Sequence, residues 1–371
     1  MKPKSEAELA ELVRESSKPF EIIGTATKRA IGYSVHGTCL DLSGFNTVHA
    51  YEPEELILEV GAGALLTDIQ KRLHKCHQYF AFEPPDYSAL LGGAHSGTIG
   101  GMVACNLSGP RRLKAGALRD HILGVRGVSG RGENFKAGAR VVKNVTGYDV
   151  PKLMAGSYGT LAALTSVIIK VLPKPETEET LFIAGLSDTE AVQAMSLAMQ
   201  SSCEVSCAAH VPGQGTFLRL EGIAPSVAYR RDKLFQLVGE RGEVIDKGSA
   251  TFWRDIANVT PLQACKGDDI WKISVPPSDA PQVMAKLACD KHSYFDWAGG
   301  LIWLAVPQGT DGAVIRAALI SGHATLLRSA KREAQHIFQP QPAALAALNS
   351  RVKQSFDPQH HFNPGRMERG H

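Results

Sequence analysis

Between residues 179 and 329 the chain runs twice through the order strand, helix, strand, strand, helix, strand, and this double pass restricts its fold more than any other feature. The first pass reads as strand 179–186, helix 188–201, strand 205–211, strand 215–221, helix 225–239 and strand 243–247. A helix-like stretch at 250–258 follows. The second pass reads as strand 270–275, helix 278–289, strand 292–297, strand 300–306, helix 311–320 and strand 324–329. What repeats is element order, not sequence. Each pass is ferredoxin-like, so the pair predicts one antiparallel sheet with helices on one face.

The residues before this repeat have a different character. Residues 5–16 read as a helix with Ala7, Leu9, Leu12 and Val13 on one side. A short strand, 20–23, runs into Gly24, and strands follow at 38–42, 47–52 and 56–61. Thr67 to Gln70 has the form of a capping box, ahead of a helical face made by Leu66, Ile69 and Leu73. Residues 120–136 predict a hairpin turning at Ser129 to Gly132, and Thr165 to Val171 a β-branched strand. The charged segment from Pro173 to Glu179 holds two prolines and marks the boundary between a domain at 1–175 and a second at 176–371. A last helix, 342–355, leads into a tail, 356–371, whose prolines and glycine make it a fixed irregular segment.

Composition excludes several classes. A chain of 371 residues with formal net charge +3 and no basic stripe is not built for nucleic acid. Its seven cysteines are odd in number and include no C-x-x-C, so reduced thiols are expected, and with them a cytoplasmic setting. Neither an apolar leader core nor an apolar run of about 18 residues occurs. Membrane association is therefore expected only peripherally, through partners.

Three loops carry candidate chemistry. Gly24-Thr-Ala-Thr-Lys28 follows a strand, and its small residues would let successive backbone N–H groups face one concavity suited to a pyrophosphate. In the segment from His95 to Gly109, Gly97, Gly100 and Gly101 permit close backbone approach. A short helix beginning at Met102-Val103-Ala104 would turn its N-terminus toward them as an anion site. The third runs from Lys143 to Asp149 and on to Gly156-Ser-Tyr-Gly-Thr-Leu161, where Gly159-Thr160 offers a second backbone cradle. Asp149 is expected to cap the helix near Pro151. Gly61-Ala-Gly63 imitates a dinucleotide fingerprint, but Leu66 stands where the third glycine belongs, so NAD is not expected. His74, Cys76, His77 and the His360-His361 pair are too unspecific to predict a metal.

In this order the three loops resemble the FAD-binding domain of the vanillyl-alcohol-oxidase, or PCMH-type, flavoproteins. The residues 82–86, 142–149, 296–303, 322–328 and 356–367 are similar to those of the FAD-binding E subunits of bacterial glycolate oxidases. The resemblance covers nearly the whole chain. It implies an α+β fold: a PCMH-type FAD-binding domain of two α/β subdomains plus a ferredoxin-like antiparallel α+β cap. It implies FAD as cofactor, and a complex that oxidises glycolate to glyoxylate and contains a second flavin subunit and an iron–sulfur subunit. FAD contacts are implied for Gly24, Thr25, Ala26, Thr27, Lys28, Pro85, Gly97, Thr98, Ile99, Gly100, Gly101, Asn106, Ser108, Gly109, Gly147, Asp149, Gly156, Gly159, Thr160 and Ile168. Thr25, Ala26 and Thr27 stand where some members carry a flavin-linking histidine, so the flavin is expected to be non-covalent. Tyr158 replaces a glutamate usual in the family, and the histidine pairs that larger members use for metal and substrate do not occur. Trp297, His323 and Arg328 are the remaining catalytic candidates. The last two lie five apart on one strand, which sends their side chains to opposite faces unless a bulge intervenes. Packing of the cap and contact with a partner are the expected roles of this pair.

Overall fold

The computed structural model describes residues 1–93, 95–140, 147–239, 242–245 and 247–368. It divides into two compact units. The first comprises Met1–Leu107, Ala117–Pro173 and Pro340–His371; the second, Ser108–Gly116 and Lys174–Gln339. The chain passes from the first unit to the second between Pro173 and Lys174, beside the boundary expected near 175. The assignment of everything beyond it to one domain needs correction, because the C-terminal helix and tail cluster with the first unit and the short segment 108–116 with the second.

In the first unit, β1 (Phe20–Ile23) pairs in parallel with β2 (Thr38–Asp41). A five-stranded antiparallel sheet is built from β3 (Val48–Glu52), β4 (Ile57–Gly61), β6 (Ile122–Ser129), β7 (Asn134–Gly138) and β8 (Ala162–Lys170), in the order β3-β4-β8-β6-β7. Two short strands, β5 (Gln78–Tyr79) and β9 (Leu172–Pro173), pair separately. All but the last residue of β8 is buried, as suits the central strand of a covered sheet. The helix Glu6–Glu15 presents Leu9, Ala10 and Val13 to Phe20, Leu40, Val128 and Phe362, forming one apolar cluster. Leu9 and Val13 are the residues whose spacing gave the helix its apolar side. The capping box expected at Thr67 is not formed. The helix spans Leu66–Lys75 with Leu65 at its cap and no side-chain bond there, so Thr67 lies inside the first turn.

The second unit contains β10 (Thr177–Ile183), β11 (Cys207–Val211), β12 (Gly215–Gly222), β13 (Gly242–Ile245), β14 (Asp269–Ser274), β15 (His292–Asp296), β16 (Leu301–Val306) and β17 (His323–Arg328). They form one sheet in the order β13-β10-β12-β11-β15-β16-β14-β17, with every pairing antiparallel. Each pass of the repeat thus makes a four-stranded half with its first and third strands central, and β11 meets β15 through His210 and Phe295. The helix Ser249–Ala257 between the passes amends the expectation of helices on one face. Its Trp253 donates to Thr180 Oγ1 at 2.8 Å, and Thr180 shares a face with Arg219 and Cys207 by register. His210, three residues along β11 from Cys207, points to the opposite face, toward Asp188 at the start of the helix Asp188–Gln200.

Candidate functional site

A cleft in the first unit collects the predicted loops. Gly24, Thr25, Ala26, Thr27 and Lys28 line it, together with Thr98, Gly100, Gly101 and Gly159. The loop after β1 turns at Ala26, whose φ is 59°, and Arg29 N–H closes the turn on Ala26 O at 3.1 Å. The N–H groups of Thr25, Ala26, Thr27 and Lys28 make no hydrogen bond to any described residue. Four consecutive unpaired donors beside a cleft are the backbone concavity that an anion requires. The side chains contribute less than expected: Thr25 Oγ1 donates inward, to Ser96 O at 2.8 Å. Lys28 matters most. Among the described residues its ammonium reaches only Thr27 Oγ1, at 3.4 Å, and burial pushes its pKa below the ordinary lysine value, against the opposing pull of Cys105 and Asp86. A Cβ at Gly97 would lie 2.2 Å from Lys28 Nζ, so Gly97 makes room for the ammonium.

The second loop works differently from its sequence reading. The helix begins at Ile99, not Met102, and ends at Ala104, with Thr98 as its cap. Its leading amides are consumed within the protein. Ile99 N–H bonds Ala64 O at 2.9 Å, Gly100 N–H bonds Ala62 O at 2.7 Å, and Gly101 N–H bonds Thr98 Oγ1 at 3.2 Å. No donor in this first turn is left for an anion, whereas four consecutive unpaired amides lie in the 24–28 loop. Gly100 serves packing, since a Cβ there would sit 2.9 Å from Ala62 O. Ile99 is in the core. The imitation fingerprint has a role after all: Ala62 and Gly63 line the cleft, and a Cβ on Gly63 would lie 2.4 Å from Leu42 O.

The third loop is stitched to that helix. Gly156 N–H bonds Val103 O at 3.1 Å and Tyr158 N–H bonds Ala104 O at 2.8 Å. Tyr158 adopts φ 53°, and burial pushes its phenol pKa upward, so the residue that replaces the family glutamate lines the cleft as an uncharged group. Thr160 does not face the cleft; its hydroxyl donates to Ser157 O at 2.7 Å. Gly156 does not line it either. Asp149 caps its helix, accepting from Lys152 N–H at 3.2 Å, and neither it nor the exposed Gly147 reaches the cleft. Lys143 to Thr146 fall outside the described residues. Asn106 accepts from Arg119 N–H at 3.1 Å, Ile168 packs where a Cβ on Gly124 would go, and Pro85 is buried elsewhere. Ser108 and Gly109 cluster with the second unit.

Sequence reasoning missed the tail as part of the site. Asn363 and Arg366 line the cleft. Asn363 Oδ1 accepts from Ile22 N–H at 2.9 Å while its Nδ2 donates to Tyr158 O at 2.8 Å, so one side chain ties β1 to the third loop. Arg366 donates to Arg29 O at 2.9 Å and Ile31 O at 3.1 Å and pairs with Glu21, which also holds Arg29. The signal was present in the fixed irregular tail, but its target lay more than 300 residues away.

In the second unit, Arg328 donates to Cys265 O at 2.6 Å and Asp268 O at 3.2 Å. His323 and Arg328 do not take opposite faces, because β17 bulges: Leu326 pairs with Trp271 and Arg328 with Ile270, so Leu327 is extra and Arg328 returns to the face of His323. The guanidinium is nonetheless committed to those two carbonyls. His323 reaches the surface, yet the protein crowded round its ring, and then the charges of Lys272 and Arg112, hold its pKa below the ordinary value. Trp297 is buried and donates from Nε1 to Gly109 O at 3.0 Å.

These residues fit FAD: four unpaired amides, a buried ammonium and glycine-lined clearance suit a pyrophosphate, and the apolar Ile22, Leu42 and Leu164 also line the cleft. Replacing the ammonium, as in Lys28→Met, removes one charge-assisted contact worth about 1.5–3 kcal/mol. FAD affinity should fall roughly 10- to 100-fold, measured by fluorescence titration of the flavin-stripped chain. A pH dependence should accompany it. A bound diphosphate favours protonated Lys28, so its pKa is higher in the complex than in the empty cleft. Affinity is therefore full below the empty-cleft pKa and falls as pH rises through it, and this decline begins below 10.5. A pH profile identical in the wild type and Lys28→Met would remove Lys28 from the contact.

Comparison with known proteins agrees with the geometry. A family described as an FAD binding domain matches residues 1–138. The glycolate oxidase subunit GlcE of Escherichia coli is 34% identical over 94% of this chain and 92% of its own length. The glycolate oxidase subunit GlcD of Bacillus subtilis is 34% identical over 39% of this chain and 29% of its own, and a D-lactate dehydrogenase of Anaerostipes hadrus is 32% identical over 48% and 36%. Among solved structures, alkyldihydroxyacetonephosphate synthase shares the fold at a TM-score of 0.71 and 16% identity, covering 98% of this chain and 76% of that one. No helix among the described residues is long and apolar enough to cross a membrane. The protein is an FAD-linked oxidoreductase of the PCMH-type family, and within it the chain belongs to the group of the glycolate oxidase subunit GlcE.

Proposed function

We propose that this chain is the FAD-binding subunit of a complex that oxidises glycolate to glyoxylate, with electrons passing through flavin to an iron–sulfur partner and with a second flavin subunit present. The observation that carries the reading is the likeness to GlcE along nearly the full chain, joined to a cleft whose free amides and buried Lys28 suit FAD. FAD, when bound, accepts two electrons from a substrate and can release them singly. The chain's own part is to hold it. Thr25 to Lys28 present their amides and one ammonium, Gly97 leaves space for that ammonium, and Asn363 and Arg366 fix the loop from beneath. The uncharged Tyr158 adds no carboxylate to repel the phosphates.

Affinity purification of the tagged chain from its native cells tests the proposal. A second flavoprotein and non-haem iron should copurify, and acid precipitation should release all flavin to the supernatant as FAD. The complex should oxidise glycolate with an artificial acceptor much faster than the chain alone. A chain that purifies free of partners and turns glycolate over at the full rate would make it a free-standing oxidase; flavin left on the pellet would make the linkage covalent.

A further inference from the structure

Among the described residues, the cleft of the first unit is lined by three cations, Lys28, Arg29 and Arg366, and by no carboxylate. Lys28 belongs to the loop of free amides, and Arg366 ties the tail to that loop. Arg29 so far has no part in the site. Its side chain is 60% exposed, yet it does not move freely. Nε donates to Glu21 Oε1 at 2.8 Å and Nη2 donates to Glu21 Oε2 at 2.5 Å, so a carboxylate grips the guanidinium along one edge. Glu21 is buried, and Arg366 donates to the same carboxylate at 3.1 Å and to the Arg29 carbonyl at 2.9 Å. The remaining guanidinium nitrogen of Arg29, Nη1, bonds no described residue.

A long side chain gives up rotamer freedom when it meets a ligand, and a planar fork already gripped by a carboxylate has given it up beforehand. The grip does not cancel the charge offered to the cleft. Two guanidinium groups share one carboxylate, so Glu21, Arg29 and Arg366 together sum to one positive charge. Glu21 itself does not line the cleft. Lys28 adds a second positive charge, tempered by Asp86, which does not line the cleft either. A diphosphate diester carries two negative charges, one on each phosphorus. Its charge is therefore spread over adjacent groups, as are Lys28 and Arg29 along the chain.

We propose that Arg29 is the second cation of the cofactor site and the residue that makes the cleft prefer a diphosphate to a single phosphate group. The amides of Thr25 to Lys28 and the Lys28 ammonium suffice for one phosphate. Arg29 Nη1 serves the other, with its guanidinium plane fixed by Glu21. Arg366 is a positioning residue here, since it shares the carboxylate and holds the Arg29 carbonyl. The inference rests on the placement of the FAD diphosphate at the 24–28 loop.

Competition on the flavin-stripped full chain tests this, with FAD binding read by flavin fluorescence and with inorganic pyrophosphate or inorganic phosphate as competitor. In the wild type, pyrophosphate should displace FAD at a concentration roughly tenfold or more below that of phosphate. Arg29→Met should weaken FAD binding about tenfold and shrink the advantage of pyrophosphate to about threefold or less. Its FAD affinity should also fall less steeply with added potassium chloride, because a charge that salt screens is gone. Arg29→Lys, which keeps the charge, should restore the salt dependence. Lys136→Met, which removes an exposed charge on β7, should match the wild type throughout. Thermal melts on the same samples recognise a misfolded variant; should Arg29→Met melt early, Arg29→Gln, which can still donate to Glu21, carries the comparison. FAD binding in Arg29→Met equal to the wild type overturns the inference. So does weakened FAD binding with the wild-type salt dependence and pyrophosphate advantage, which would make Arg29 a tether of the loop alone. If Lys28→Met also binds FAD like the wild type, the placement of the diphosphate falls as well; if only Arg29→Met does, this inference ends by itself.

Discussion

Gly101→Asp is expected to abolish FAD binding while leaving the chain folded. A Cβ at this position would lie 3.3 Å from Thr98 Oγ1 and 3.7 Å from Lys28 Cδ, contacts that a small side-chain adjustment relieves. The site is in the first turn of the helix Ile99–Ala104, where an aspartate is well tolerated. What changes is the charge. The new carboxylate comes within reach of Lys28 Nζ, 3.9 Å from the position of that Cβ, and captures the buried ammonium. It also sets a negative charge against an incoming pyrophosphate. Losing a charge-assisted bond and gaining a repulsion each amount to about 1.5–3 kcal/mol, so affinity should fall about a thousandfold or more. Far-ultraviolet circular dichroism should match the wild type while visible flavin absorbance disappears from the purified protein. Full FAD occupancy in this variant would place the pyrophosphate elsewhere.

Asp357→Ala should be the most damaging single change to stability in the first unit. This carboxylate has no solvent exposure and collects three donors: Lys353 Nζ at 2.5 Å, His361 N–H at 2.9 Å and Phe362 N–H at 2.8 Å. Burial pulls the Lys353 pKa down and Asp357 pushes it back up, so removing the carboxylate leaves two amides without their acceptor and a partly buried cation that keeps the carbonyls of Thr160 and Phe362, at 2.6 and 3.0 Å, but loses its counter-charge. Breaking such a pair costs about 3–5 kcal/mol. The damage should spread to the cofactor, because Phe362 packs beside Phe20, and Asn363 and Arg366 then hold the loop after β1. Urea denaturation with and without FAD measures both effects. A loss below about 1 kcal/mol would show that the tail is held by Phe362 packing alone.

Everything that depends on local periodicity was legible in the sequence. Alternation and helical spacing suffice for the double βαββαβ, and the eight strands of the second unit pair in the order such halves demand. Small residues after a strand sufficed for the 24–28 loop, because a turn between β1 and a neighbouring loop is settled by the few residues that make it. Even the role of Asp149 was readable, since a cap reaches only three residues along its own helix.

Tertiary structure alone decided which backbone donors remain for a ligand. The glycines at 97, 100 and 101 looked like an anion-binding turn, but an amide's availability depends on what stands opposite it. Ala62 O and Ala64 O, more than thirty residues earlier, take the N–H groups of Gly100 and Ile99, and Thr98 Oγ1 takes that of Gly101. The tail's place beneath the first loop was hidden for the same reason, since Asn363 meets Ile22 across 341 positions. In the second unit one extra residue in β17 reversed the facing of Arg328. Sequence pattern determines which elements form and which of their faces are apolar, because both follow from the chain's own repeat. Pairings between distant segments follow from packing, which depends on every element at once, and in this protein those pairings decide where charge and free hydrogen-bonding capacity are exposed.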